Sequence, residues 1–229
     1  MSPRPIVRWK RAGWNEFVLF GSIALVCVCV GVFLELASSF ADESHRAMDE
    51  RLMRAFRDPS DLSRAAGAVW WVELARNVSA LGSAFVVTTL ALLVAGYCAL
   101  RGQGSRVVLI VVAVGGGYLL GNTLKAGYGR ERPDVVPHLS QVTSASFPST
   151  HAMASATIYL TLGGLLAHAS LRRREKIYFI LTAFLLTFLV GLSRVFLGVH
   201  YPSDVVAGWS AGTAWAVCCW LVWTRFEAR

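Results

Sequence analysis

Residues 17–39 read FVLFGSIALVCVCVGVFLELASS and carry one charged side chain, Glu35. A helix needs about 20 apolar residues to cross the hydrocarbon core of a bilayer, so this stretch is long enough to span a membrane. Because lipid offers no hydrogen-bond partners to a bare backbone, such a stretch must be helical. Similar apolar stretches follow at about 79–100, 106–124, 149–170, 177–198 and 203–223. The sequence therefore predicts an all-α integral membrane protein, a bundle of six transmembrane helices.

The composition agrees with that prediction. The chain has 229 residues, of which 55% are hydrophobic and only 16% charged, whereas about 25% of the residues in a typical soluble domain are charged. No internal repeat divides the chain, which favours a single domain over residues 1–229. The cysteines lie inside the apolar stretches without the spacing of zinc ligands, so we interpret them as small apolar residues and predict no metal and no cofactor; they are Cys27, Cys29, Cys98, Cys218 and Cys219.

The net charge of +8 is concentrated in alternate connections between the spans. The basic residues in question are Arg4, Arg8, Lys10, Arg11, Arg101, Arg106, Arg172, Arg173, Arg174, Lys176, Arg225 and Arg229. Alternate connections lie on one side of the membrane, and lysine and arginine accumulate on the cytoplasmic side. The charge is thus a topology signal rather than a nucleic-acid surface. It predicts cytoplasmic termini, and it places the remaining connections outside.

The longest external connection covers about residues 40–78. Met48, Leu52 and Phe56 recur there at helical spacing, which predicts a short amphipathic helix lying on the outer membrane surface. The basic and acidic residues of this segment nearly balance, so it is nearly neutral.

The other two external connections carry cations at the ends of spans. Lys125 and Arg132 follow the third span, and Arg194 lies near the outer end of the fifth. Taken singly, each could be an interfacial charge that extends to water. Three cations converging on one pocket, however, need an anionic partner, and the planar guanidinium fork matches the oxygens of phosphate.

The stretch SFPSTH, residues 146–151, has the composition of a helix start. Pro148 suits the first helical turn, and Ser146 or Ser149 can cap the free N–H groups. The amino end of a helix favours anions, so His151 in that first turn would face the same phosphate as the cations.

The stretch VHYPSD, residues 199–204, repeats this arrangement before the sixth span. Pro202 opens the helix, His200 precedes it and Asp204 follows it. Asp204 is close enough in sequence to accept a hydrogen bond from one ring nitrogen of His200, which would leave the other nitrogen free as a nucleophile.

Three stretches now stand in order: KAGYGRERP (125–133), PSTH (148–151) and SRVFLGVHYPSD (193–204). Together they resemble the three-part signature of the type 2 phosphatidic acid phosphatase (PAP2) superfamily, with a catalytic core over about 106–223. One departure is Thr150, which stands where the family most often has glycine, although its backbone N–H remains available to phosphate.

The resemblance implies a role for each matched residue. His200 would attack phosphorus and form a phosphohistidine, oriented by Asp204, while His151 would protonate the leaving oxygen and then activate water. The phosphate would be held by Lys125, Arg132, Arg194, Ser149, Thr150 and Ser193. It also implies metal-independent chemistry and inhibition by vanadate. Nearby loop residues Arg130, Glu131, Asp134 and His138 are interpreted as solvated charges.

The sequence thus predicts a lipid phosphatase of the cell (inner) membrane whose site faces the periplasm or exterior. Its expected partners are a lipid phosphate substrate and membrane lipids, without nucleic acid. Candidate substrates are phosphatidic acid, phosphatidylglycerol phosphate, undecaprenyl diphosphate and lipid A phosphates. Two alternatives remain open: a phosphotransferase that uses the same intermediate, and a non-catalytic lipid transporter or binding protein. The oligomeric state and the choice between monophosphate and diphosphate are also open.

Overall fold

The computed structural model describes residues 6–39 and 42–227, and side chains in the first helix from residue 16 onward. Within these residues the helices are α1 Ile6–Ser39, α2 Glu43–Arg54, α3 Trp70–Ala80, α4 Ala84–Leu100, α5 Gly104–Tyr128, α6 Thr150–Ala169, α7 Arg173–Phe196 and α8 Pro202–Glu227. Two short antiparallel strands, β1 Arg57–Asp58 and β2 Asp61–Ala65, form a hairpin after α2. Of the predicted basic residues, Arg4 and Arg229 lie outside the described residues, as do the side chains of Arg8, Lys10 and Arg11.

Five of the described helices are long and apolar enough to cross a bilayer: α1 from Glu16 onward, α5, α6, α7 and α8. The bent pair α3 and α4, whose axes differ by 45°, meets the same requirement when taken together and makes a sixth span. The predicted all-α membrane bundle is therefore confirmed.

The span predicted at about 79–100 contains a turn at its start, between α3 and α4. Ser83 begins α4 by accepting a hydrogen bond from the backbone N–H of Val86 at 3.3 Å. At Gly82 a Cβ atom would collide with Val190 and lie 3.0 Å from the His151 carbonyl oxygen. This turn brings the end of α3 against α7 and the start of α6, next to two of the predicted site segments.

Helix α6 lies at the centre of the bundle, with α5, α7 and α8 packed around it and α1 along α8. Fully buried apolar side chains, including Ile110, Ile158 and Val190, fill the space between these helices. Gly208 lets α8 approach α6 closely, since a Cβ there would lie 2.5 Å from the Ser149 carbonyl oxygen. The starts of α6 and α8 are consequently side by side.

Helix boundaries differ from prediction near the site. Helix α5 continues to Tyr128, so Lys125 lies in its last turn, and Gly129 ends it with a left-handed φ of +58°. Helix α6 begins after Pro148, with Ser149 rather than Ser146 as its N-cap. Helix α8 does begin at Pro202, as predicted.

The external segment contains the predicted helix, α2, followed by a β-hairpin that was not predicted. Met48 and Leu52 are exposed, as a surface-lying helix requires, but Phe56 packs edge-on against Phe196. The buried side chains of α2 are instead Asp49 and Met53. This segment is therefore anchored to the bundle rather than resting on its surface.

Arg57, at the start of the hairpin, is the largest of the buried side chains that anchor this segment. Its side chain is 2% exposed, and its two terminal nitrogens donate to the carbonyl oxygens of Phe196 at 2.8 Å and Pro137 at 3.3 Å. Those two carbonyls belong to the segments that precede His200 and follow Arg132. The hairpin thus supports the loops from which the candidate site is built.

Candidate active site

A cavity of about 360 Å³ opens at the end of the bundle where α3, α5 and α7 finish and α4, α6 and α8 begin. Six residues singled out from the sequence line it: Lys125, Arg132, Thr150, His151, Arg194 and His200. The remaining lining residues are Arg76, Ser79, Ala80 and residues 140–144. Helices that alternate in direction bring these residues, far apart in the chain, to one end.

His200 lies in the short loop between α7 and α8 and is 1% exposed. Its Nδ1 atom is 3.5 Å from Oδ2 of Asp204 and 3.4 Å from Oγ of Ser146. Its Nε2 atom is 3.4 Å from Nη1 of Arg132. Burial lowers the pKa of His200 to about 3, against the opposing effect of Asp204. The lowered pKa favours a neutral ring. The partners of the two nitrogens, Asp204 at Nδ1 and Arg132 at Nε2, favour the tautomer with the proton on Nδ1 and the lone pair on Nε2.

Asp204 is fully buried and its two oxygens have different partners. Oδ2 accepts hydrogen bonds from Oγ of Ser146 at 2.5 Å and from the backbone N–H of Tyr201 at 3.0 Å. Oδ1 accepts a charge-assisted hydrogen bond from Arg130 at 2.6 Å. A carboxylate with this many donors keeps its negative charge despite burial.

The three predicted cations are held by neutral groups. Nζ of Lys125 donates to Oγ of Ser144 at 2.9 Å, and Nε of Arg132 donates to the Ser144 carbonyl oxygen at 2.7 Å. Nη1 of Arg194 donates to Oγ of Ser79 at 2.7 Å, while its buried Nε has no protein partner.

None of these three cations forms an ion pair with a carboxylate in the described part of the chain. Burial lowers the pKa of the Arg132 guanidinium, which is the expected effect of removing a cation from water. Lys125 and Arg194 are buried and Arg132 is half-buried. A group of such cations without carboxylate partners is a binding environment for an anion from outside the protein.

The amino end of α6 forms one wall of the cavity. Thr150 and His151 occupy its first turn, where backbone N–H groups have no helical partner. Ser149 caps this helix through a bond from the N–H of Ala152, and its own N–H donates to the Asp204 carbonyl oxygen at 3.0 Å. The start of α6 is thereby fixed to the first turn of α8.

Two of the predicted phosphate ligands occupy other positions. The Ser149 side chain is the helix cap just described, and Oγ of Ser193 donates to the Val190 carbonyl oxygen at 2.6 Å. Both side chains are buried behind the cavity rather than among its lining residues.

The interpretation of Arg130 as a solvated loop charge is wrong. Its side chain is buried, forms ion pairs with Asp204 and Asp49, and has its guanidinium carbon 4.2 Å from the centre of the Tyr201 ring. Glu131 and Asp134, by contrast, are exposed as predicted. No sequence signal linked Arg130 to Asp49, because the two residues are 81 positions apart.

Ser146 was also missed as a partner of Asp204. The stretch SFPSTH suggested a cap for α6, but the position of the preceding loop turns its hydroxyl toward the carboxylate instead. Over residues 6–39 and 42–227 there is no group of three or more His, Cys, Asp or Glu side chains arranged to hold a metal ion.

The amino-acid sequence of this chain is similar to those of known membrane phosphatases. The family model of the PAP2 superfamily matches residues 106–228. Phosphatidylglycerophosphatase B of Bacillus subtilis is 31% identical over 185 residues, which are 79% of this chain and 85% of that protein. A lipid A 1-phosphatase of Rhizobium etli is 32% identical over 57% of this chain and 60% of its own length.

Solved structures show the same similarity. A crystal structure of a transmembrane PAP2-type phosphatidylglycerolphosphate phosphatase from Bacillus subtilis superposes with a TM-score of 0.76 at 26% identity, covering 89% of this chain and 96% of that one. The structure of LpxE from Aquifex aeolicus superposes with a TM-score of 0.58 at 22% identity, over 75% and 93% of the two chains.

Proposed function

Since this chain belongs to the PAP2 superfamily and is a membrane-bound lipid phosphate phosphatase, we propose that it cleaves its substrate through a phosphohistidine on His200. The observation that carries the proposal is the environment of this residue. Nδ1 faces the carboxylate of Asp204, while Nε2 faces the cavity beside Arg132. A neutral imidazole oriented in this way is a nucleophile at neutral pH.

The reaction has two steps. Nε2 of His200 forms a bond to phosphorus as the bond to the lipid oxygen breaks, and that oxygen leaves with the electron pair and takes a proton from His151. In the second step His151 removes a proton from water, whose oxygen attacks phosphorus and displaces the His200 nitrogen. Asp204 stabilises the positive charge that His200 acquires in the intermediate.

Stabilisation of the transition state is assigned to fixed charges and dipoles. Lys125, Arg132 and Arg194 neutralise the equatorial phosphoryl oxygens, and the first N–H groups of α6, at Thr150 and His151, add the positive end of the helix dipole. Ser149 and Ser193 contribute indirectly, by capping α6 and by holding the end of α7. These groups supply the charge for metal-independent hydrolysis.

The site is proposed to face the periplasm or exterior, with both termini in the cytoplasm. Its support is the distribution of basic residues along the described helices. Arg101 ends α4, Arg106 lies in the first turn of α5, Arg172 precedes α7 and Arg225 lies in the last turn of α8. All four are at the ends opposite the cavity, where the positive-inside tendency places the cytoplasm.

The substrate is proposed to be a lipid monophosphate or diphosphate that keeps its tail in the bilayer while its phosphate enters the cavity. The two similar proteins named for an activity act on phosphatidylglycerophosphate and on the 1-phosphate of lipid A. We also propose that the chain acts as one domain with its catalytic core in α5–α8, because the cavity is lined mainly by residues of that region.

The test is phosphate release by the purified protein in detergent with EDTA, measured across phosphatidic acid, phosphatidylglycerol phosphate, undecaprenyl diphosphate and lipid A. The parent protein should release phosphate without an added acceptor alcohol, which distinguishes hydrolysis from phosphotransfer, and vanadate should inhibit. His200→Ala and His151→Ala should each abolish release. Parental rates in both variants would refute the mechanism and favour a non-catalytic role for the cavity.

A further inference from the structure

The external helix α2 contributes a buried carboxylate next to the candidate site. Asp49 is 5% exposed, although it belongs to a helix that is otherwise largely accessible. Its Oδ1 atom accepts the backbone N–H of Ser203 at 2.9 Å, and its Oδ2 atom accepts the Ser203 hydroxyl. Asp49 is thus hydrogen-bonded to Ser203 in the first turn of α8, and Ser203 is the residue before Asp204.

Arg130 connects Asp49 to Asp204. Its Nη1 atom donates to Oδ1 of Asp204 at 2.6 Å and to the Ser203 hydroxyl at 2.9 Å, while Nη2 donates to Oδ2 of Asp49 at 3.3 Å. The face of the Tyr201 ring covers the guanidinium. One buried cation therefore serves two buried carboxylates, each of which holds one arm of its fork.

Because Arg130 donates to both carboxylates, only one of its arms is directed at Asp204, and this affects which oxygen of Asp204 is available to His200. An arginine fork prefers to bind both oxygens of a carboxylate at once. Here Nη1 donates to Oδ1 of Asp204 and Nη2 is held by Asp49, while Oδ2 of Asp204 faces Nδ1 of His200 at 3.5 Å. Without the Asp49 charge, Nη2 would be drawn to Oδ2 and would compete with His200 for it.

We propose that Asp49 of α2 and Arg130 are positioning residues for the Asp204–His200 pair, with Asp49 keeping Arg130 from clamping both oxygens of Asp204. This inference rests on the proposed function, because it assigns the network to the orientation of the nucleophile. It also gives α2 a specific role, since the helix supplies the carboxylate that completes the catalytic arrangement from outside the PAP2 core.

The decisive variant is Asp49→Asn, which keeps the shape and an oxygen acceptor for Ser203 while removing the charge. Because orientation of the nucleophile matters in the transition state more than in substrate binding, kcat should fall roughly tenfold to a hundredfold while KM stays within about threefold. Arg130→Lys keeps the charge but lacks the fork, so it should show the same split between kcat and KM.

The matched control is Glu50→Gln. Glu50 is the next residue of α2 and loses an equal charge, but its carboxylate pairs with Arg46 and Arg54 at the surface. Its kcat should equal that of the parent protein. The double variant Asp49→Asn/Arg130→Gln should be no slower than Arg130→Gln alone, because residues that act as one unit give non-additive losses.

All variants are measured as full-length protein in the same detergent, with a thermal unfolding curve for each. A kcat for Asp49→Asn within about twofold of the parent, a rise in KM alone, or additive losses in the double variant would overturn the inference. If Asp49→Asn does not fold, Arg130→Lys replaces it, since it removes the fork that Asp49 and Asp204 share; a parental kcat there overturns the proposal equally.

The parent protein and His200→Ala are run alongside. Turnover in the parent and none in His200→Ala, combined with a parental kcat in Asp49→Asn, would refute the positioning role and leave the proposed function standing. An inactive parent protein would refute both.

Discussion

Gly198 lies two residues before His200, and its substitution tests whether the loop that carries the nucleophile is held by backbone geometry. Its φ of +74° is left-handed, and an added Cβ would lie 2.5 Å from Nη2 of Arg57 and 3.0 Å from Cγ2 of Val136. The guanidinium is at the end of a long side chain, but it cannot retreat freely, because it is buried and bonded to the Phe196 carbonyl.

The magnitude of the Gly198→Ala effect follows from two contributions. A left-handed conformation costs an alanine about 1–2 kcal/mol, and displacing the Arg57 guanidinium removes a charged hydrogen bond worth about 1.5–3 kcal/mol. We therefore expect a loss of about 3–5 kcal/mol in the free energy of unfolding, which lowers the midpoint of thermal unfolding by roughly 10 °C for a chain of this length. A shift of the His200 ring by even 1 Å should lower kcat by tenfold or more.

Two glycines at the end of α5 serve as matched controls for the same assays. Gly129 has a φ of +58° with open space around its Cβ position, and Gly127 has open space and an ordinary helical conformation. Gly129→Ala should therefore show the conformational strain alone, about 1–2 kcal/mol, and Gly127→Ala should show no loss. Thermal unfolding in detergent and phosphate release measure the two effects. A Gly198→Ala midpoint equal to that of Gly129→Ala would refute the role of the Arg57 contact.

Three further perturbations have defined outcomes. Gly208→Ala should separate the starts of α6 and α8, since its Cβ would lie 2.5 Å from the Ser149 carbonyl oxygen, and kcat should fall tenfold or more; Gly115→Ala, with open space around it, should not change it. Arg194→Lys keeps the charge but loses the planar fork, so kcat/KM for a lipid phosphate should fall about a hundredfold in the phosphate-release assay, and an unchanged value would contradict the phosphate clamp. Burial lowers the pKa of His200 to about 3, below its value of about 6.5 in the unfolded chain, so the unfolded state binds more protons and stability is lost as pH falls through 6.5. That loss should reach about 2 kcal/mol between about pH 7 and pH 5, and thermal unfolding of His200→Gln should show a correspondingly smaller pH dependence; equal slopes would contradict it.

The spans were readable from the sequence because a bilayer selects for composition over a long window. The break between α3 and α4 could not be predicted from the sequence, since it depends on the close approach of Gly82 to Val190 on α7. Local sequence carries no record of such a contact. The end of α5 was placed a few residues too early, because the helix continues to Tyr128 and is ended by the left-handed Gly129. The start of α6 was predicted within one residue, since Ser149 is its N-cap.

The convergence of site residues was predictable for a topological reason. Lys125, His151 and Arg194 each lie at a helix end and His200 lies in the loop between two helix ends. Alternating helices place those ends on one side, so the order of the spans alone brings the four residues together. The hydrogen bonds and ion pairs that hold these residues in place were not predictable, because they join segments that are far apart in the chain. The sequence did not single out Asp49, because only the packing of α2 against the start of α8 brings it to Arg130.

The most direct test of the proposed mechanism is to trap the covalent intermediate. The parent protein is mixed with a lipid phosphate for less than one turnover and quenched in alkali, where phosphohistidine survives, and the peptides are examined by mass spectrometry. We expect one phosphoryl group on His200 of the loop between α7 and α8, and none on the same peptide from Asp204→Asn at the same time, because the nucleophile is no longer oriented. A phosphoryl group on another residue, or phosphate release with no labelled peptide at any time, would contradict the mechanism.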